Sequence, residues 1–114
     1  MPQSDGPKSL EEALKRKSIS TWDFYSAVTG EDWWGASLKF GETHPFNFTR
    51  KNRDQIYELV NRLRKHYEQV YKPEDNPRQY YCYQFDRVDE AYKTRKIKDQ
   101  KIAIQDLLSA IVMD

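Results

Sequence analysis

From Asn52 to Lys72 the apolar residues fall at Ile56, Leu59, Val60, Leu63, Tyr67, Val70 and Tyr71. Recurrence every three or four positions puts them on one face of an α-helix. Asp54, Glu58, Asn61, Arg62, Lys65 and Glu68 fall on the opposite face. No glycine or proline interrupts the run, and Pro73 ends it, because proline lacks the N–H and its ring clashes with the preceding turn. At about 1.5 Å per residue this helix is roughly 30 Å long, the width of a small domain. The rest of the chain has to pack around it.

The flanks carry weaker versions of the same signal. Ser9 and Glu12 have the spacing of a capping box, followed by a narrow stripe at Leu10, Ala13 and Leu14. Ser20 and Asp23 repeat that spacing, with Ile19 and Phe24 placed as a hydrophobic staple. The helix they open, Thr21 to Thr29, ends before Gly30, which suits the left-handed residue after a helix. Glu31 to Phe40 adds a further turn or two around Trp33 and Trp34. Gly41 to Phe48 reads as an extended loop, since Pro45 steers His44 away from helical geometry. Phe46 and Phe48 in that loop are placed to pin it to the core.

After the turn at Lys72–Pro77, the stripe Tyr81, Phe85, Val88 and Tyr92 predicts helix, although Tyr80 to Phe85 is aromatic enough for a strand. Ile104, Leu107, Leu108 and Ile111 form a last apolar face. Whether 77–112 is one helix or two stays open. The expectation is therefore an all-α fold, a small bundle of four to five helices around the central helix 52–72. A disordered tail over 1–8 precedes one helical domain over 9–114.

Composition narrows the classes. A chain of 114 residues fits one domain with one modest core. Charged residues are 32% of it yet nearly cancel, at a net of +1, unlike a strongly basic nucleic-acid binder. The aromatic share of 14% argues against a wholly disordered chain. A single cysteine, Cys82, allows no internal disulfide and no multi-cysteine metal site. The polar start, Met1 to Lys8, matches neither a signal peptide nor a membrane span, so a cytoplasmic, reducing compartment is the expectation.

Catalytic signals are missing. His44 and His66 stand in no metal-ligand spacing, and Cys82, between Tyr81 and Tyr83, reads as a packed small residue. The four glycines match no phosphate-cradling loop. No catalytic residue, cofactor or metal ligand is therefore assigned, and the chain reads as a non-enzymatic protein.

Two features point to macromolecular partners. Trp33 and Trp34 are adjacent and can hardly both enter one core, so one is expected to meet a partner, together with the terminal face at Leu107, Leu108 and Ile111. This makes an accessory subunit or adaptor the leading expectation, with a protein partner or larger assembly, a homo-oligomer remaining open and no membrane involved. The alternative is a nucleic-acid-binding accessory protein. Arg50, Lys51 and Arg53 sit at the start of the central helix, where positive charge opposes the helix dipole and an anion would relieve it. Lys93, Arg95, Lys96, Lys98 and Lys101 form a second cluster, with Tyr92 and any exposed ring among Tyr80, Tyr81 and Tyr83 to stack on bases.

Overall fold

A computed structural model describes residues 7, 9–30 and 43–113, the side chains of residues 77, 78 and 113 excepted. Among these residues five helices form: α1 (Leu10–Leu14), α2 (Thr21–Thr29), α3 (Arg53–Val70), α4 (Asn76–Lys93) and α5 (Ile97–Met113). Among the described residues there is no strand, and the all-α bundle built around the central helix is what the chain adopts. The expected turn over 31–40, with Trp33 and Trp34, lies outside the described residues, as do residues 1–6 and 8 of the expected tail; Pro7 is buried.

The local signals act as their chemistry dictates. The Ser9 hydroxyl accepts the Glu12 N–H at 3.1 Å. At α2 the capping box closes in both directions, Asp23 N–H to Ser20 and Ser20 N–H to Asp23, at 3.3 and 3.1 Å. Gly30 ends α2 with φ 75°, a conformation that costs glycine little and a residue with a Cβ more. The segment 77–112 is divided in two. Thr94 leaves helical geometry (φ −79°, ψ 161°), and its hydroxyl donates to the Ala91 carbonyl and accepts the Lys96 N–H. The side chain thus takes over backbone partners that would otherwise continue the helix. Tyr80 to Phe85 is helical throughout.

The helices α2, α3, α4 and α5 pack in a closed ring, each against the next, with α1 laid on α2 and α3. Into the middle α3 sends Ile56, Leu59, Val60, Leu63 and Tyr67, α4 sends Tyr81, Phe85 and Val88, and α2 sends Phe24, Tyr25, Ala27 and Val28. The pairs Tyr81–Ala110 and Arg87–Asp106 show α5 folded back antiparallel along α4. That fold-back corrects one expectation. Leu107, Leu108 and Ile111 have no exposed surface, because α4 and α2 cover the face on which they lie, so they belong to the core and offer no free docking surface. Cys82 is a second correction. It is exposed, since it falls beside the Tyr81–Phe85–Val88 stripe rather than on it.

Helix α1, at five residues, is too short to hold itself together. Arg62, which the sequence places on the polar face of α3, supplies what it lacks. Its Nη1 donates to the carbonyls of Leu14 and Arg16 at 2.7 and 2.6 Å, and its Nε pairs with Glu58 at 3.2 Å. A guanidinium on the last carbonyls of a helix satisfies orphan acceptors and meets the negative end of the dipole. Gln84 is the opposite case: it is 9% exposed, and its Oε1 has no donor among the described residues.

Two substitutions test these assignments by chemical denaturation. Arg62→Ala is expected to lower stability by about 1.5–3 kcal/mol, the range for hydrogen bonds to a charged group. Gln84→Met keeps the volume and removes the orphaned acceptor, so stability is expected to rise by about 1 kcal/mol.

Candidate functional site

At the start of α3 the Thr49 hydroxyl accepts the Asn52 N–H at 3.3 Å and the Thr49 carbonyl accepts the Arg53 N–H at 3.0 Å. Asn52 returns the bond. Its Oδ1 accepts the Thr49 N–H at 2.8 Å and its Nδ2 donates to the Asn47 carbonyl at 3.1 Å. Arg50 and Lys51, between Thr49 and Asn52, are exposed beside the positive end of the α3 dipole.

The α4–α5 turn meets this end. The Tyr92 hydroxyl donates to the Arg53 carbonyl at 2.8 Å. Gln100, buried to 1% exposure, accepts from Arg53 Nη1 at 3.3 Å and donates through Nε2 to the Thr94 carbonyl at 3.1 Å. These bonds tie the first turn of α3 to the linker between α4 and α5. Between them opens a cleft of about 380 Å³, lined by Arg50, Arg53, Asp54, Tyr92, Lys93, Thr94, Arg95 and Gln100.

The two basic clusters, some forty residues apart in sequence, thus converge, though incompletely. Arg50, Arg53, Lys93 and Arg95 share the cleft. Lys51, Lys96 and Lys98 are exposed but not part of its lining. Lys101 lies elsewhere, with its ammonium 5.8 Å from the centre of the Phe46 ring. Asp54 and Glu90 offset part of the charge. Asp54 stands 3.9 Å from Arg53 Nε, and Glu90 pairs with Lys93 at 3.1 Å.

A second cleft, of about 550 Å³, adjoins the first and shares Tyr92 and Lys93 with it. Its other walls are Tyr57, Asp86, Asp89 and Glu90. Tyr57 and Tyr92 stack at 4.4 Å between centroids and 17° between planes. Phe48 meets Tyr92 edge-on, and Phe46 meets Phe48, so the loop before α3 is pinned by its rings.

Asp89 accepts from the Tyr57 hydroxyl at 2.7 Å and from Arg64 at 3.0 Å. Burial acts to raise its carboxyl, but the hydrogen bonds from Arg64 and Tyr57 and the charges of Arg64 and Lys93 outweigh it, and the group sits below the usual carboxylate range. The Tyr57 phenol is raised by its bond to Asp89, then by burial and the carboxylate charge. Tyr92 is raised further, by burial first and then by Asp54. Both stay protonated and available as donors near neutral pH.

The remaining candidates lie apart. His44 Nδ1 is 2.8 Å from the Tyr25 hydroxyl, which also accepts the His44 backbone N–H. His66 lies edge-on to Tyr67. Among the described residues no group of three or more metal-ligating side chains comes together, and no helix is long and apolar enough to cross a membrane. Of the tyrosines proposed to stack on bases, Tyr81 is buried, while Tyr80 and Tyr83 are exposed on α4, away from the cleft. Gln100 and Tyr57 carry the site without having been singled out in the sequence. A glutamine in step with Ile97, Ile104 and Leu107 on an apolar stripe is the signal for the first.

Comparison with protein-family models, with curated proteins and with solved structures gives no match. The reading of these clefts rests on their own geometry.

The Arg64–Asp89–Tyr57 network predicts an acid sensitivity. A depressed folded-state value stabilises the fold above the unfolded carboxylate's titration and is lost as pH falls through the folded value. The stability difference between the protein and Asp89→Asn should be full above about pH 5 and should shrink below about pH 4. Urea titrations at a series of pH values check it.

Proposed function

We propose that this protein is a non-enzymatic nucleic-acid-binding module that grips a strand by its phosphates at the basic cleft. The observation that carries this reading is the convergence of Arg50 and Arg53 with Lys93 and Arg95 in one cleft beside the start of α3. Like charges at the positive end of a dipole repel one another and that end, and an anion seated among them removes both penalties. Arginines supply paired N–H donors suited to phosphate oxygens. The small net charge of +1 limits the field to this patch, so strength is expected to come from a few contacts rather than from the whole surface.

A second reading keeps a protein partner. With Leu107, Leu108 and Ile111 in the core, its support moves to Tyr80, Tyr83 and Ile102 on the outer faces of α4 and α5, which are 47%, 58% and 53% exposed. Tyr80 and Tyr83 are neighbours three apart on α4, but a few exposed apolar residues are ordinary on proteins. The cleft is the stronger feature.

Fluorescence anisotropy with a labelled single-stranded oligonucleotide across a salt series tests the assignment. Affinity is expected to fall steeply with salt. Each phosphate that a single strand has neutralised adds roughly 0.7 to the log–log slope, so Arg50→Gln, Lys93→Gln and Arg95→Gln together should reduce it by about 2. An unchanged slope refutes the cleft. Absence of binding, with a light-scattering mass above that of one chain, turns the assignment to the protein partner.

A further inference from the structure

The cleft beside the phosphate site has the wrong charge for phosphate and the right chemistry for a base. It is walled by the Tyr57 ring and by Asp86, Asp89 and Glu90. Asp89 is already occupied by Tyr57 and Arg64, and Glu90 by Lys93. Asp86 is exposed and makes no hydrogen bond or ion pair among the described residues, so its two oxygens are open to a donor. Tyr57 is stacked on Tyr92, and both residues line the cleft. A flat group laid against these rings would add a third member to the Tyr57–Tyr92 stack, which Phe48 braces edge-on.

Tyr92 and Lys93 line both clefts, so what enters one is next to what enters the other. That adjacency matches a nucleotide, whose anionic phosphate and flat base are joined through one sugar. Resting on the reading of the basic cleft given above, we propose that the acidic cleft reads the base of the bound strand and selects guanine, with Asp86 as the residue that specifies it.

The selection follows from donor geometry. A carboxylate only accepts. Guanine presents two parallel donors on its pairing edge, N1–H and the N2 amino group, and can meet one carboxylate with both, as a guanidinium does. Adenine and cytosine offer one amino group beside an unprotonated ring nitrogen, which a carboxylate repels. Thymine and uracil offer one N–H between two carbonyls. Single-stranded recognition commonly works in this way, with a ring supplying the stack and polar side chains reading the pairing edge.

The experiment compares a labelled oligothymidine 12-mer with the same strand carrying guanine at alternate positions, by anisotropy at one salt concentration. The guanine-bearing strand is expected to bind at least about fivefold more tightly. In the variant Asp86→Ala both strands should bind slightly more tightly, because negative charge is lost near the phosphates, while their ratio falls towards one. The salt slope of that variant should stay as in the parent, since the four cleft cations are untouched. GMP at the strand's own concentration should leave the complex intact; displacement at that level overturns the strand in favour of a free nucleotide. Equal affinity for the two strands with a steep salt slope overturns guanine selection and leaves the phosphate site standing. No binding of either strand overturns both.

Discussion

The fold depends on burying one face of α3. Ile56, Leu59, Val60 and Leu63 have no exposed surface, and Tyr67 has 4%. Each large side chain moved out of water contributes about 1.5–3 kcal/mol, whereas an exposed ion pair such as Lys93–Glu90 contributes about 0–1. Burial therefore decides where α3 lies, and polar contacts then fix its neighbours. Tyr67 shows the order of events within one residue. Its ring stacks on Tyr81 of α4 at 4.5 Å, and its hydroxyl is 2.7 Å from that of Thr21 in α2.

From that position α3 distributes its polar side chains by height. Arg62 reaches α1, Tyr57 and Arg64 reach Asp89 on α4, and Arg53 reaches Gln100 on α5. Beside the clefts these bonds do a particular job. Gln100 and the Tyr92 hydroxyl hold the backbone of the basic cleft with neutral groups, and among the described residues Arg50 and Arg95 at its rim make no hydrogen bond or ion pair.

The helical elements were legible in the sequence because their causes are local. The spacing of Ile56 to Tyr67, the Ser20–Asp23 box and Gly30 are each read from a few neighbouring residues, and each does what that reading implies, whereas Val70, expected on the same buried face, is 56% exposed because α3 ends there. What failed to show depends on residues distant in the chain. Nothing near Leu107, Leu108 and Ile111 says whether another helix will cover them; that is decided by the turn at Thr94 and by α2, some eighty residues upstream. Arg62 looked like one more surface charge because its partners, the α1 carbonyls, carry no side-chain signature. The basic residues were found by type. That Arg50 and Arg95 meet, while Lys101 leaves for Phe46, is a product of the packing.

The short connection at Thr94 has a kinetic consequence. Helices α4 and α5 are 18 and 17 residues long and separated by three, so their mutual packing joins positions close along the chain. The contact of α2 with α5 requires closing a loop of about seventy residues, and loop closure costs entropy that grows with length. Assembly of this protein should accordingly start from the C-terminal hairpin, with the N-terminal helices docking late onto a surface already formed.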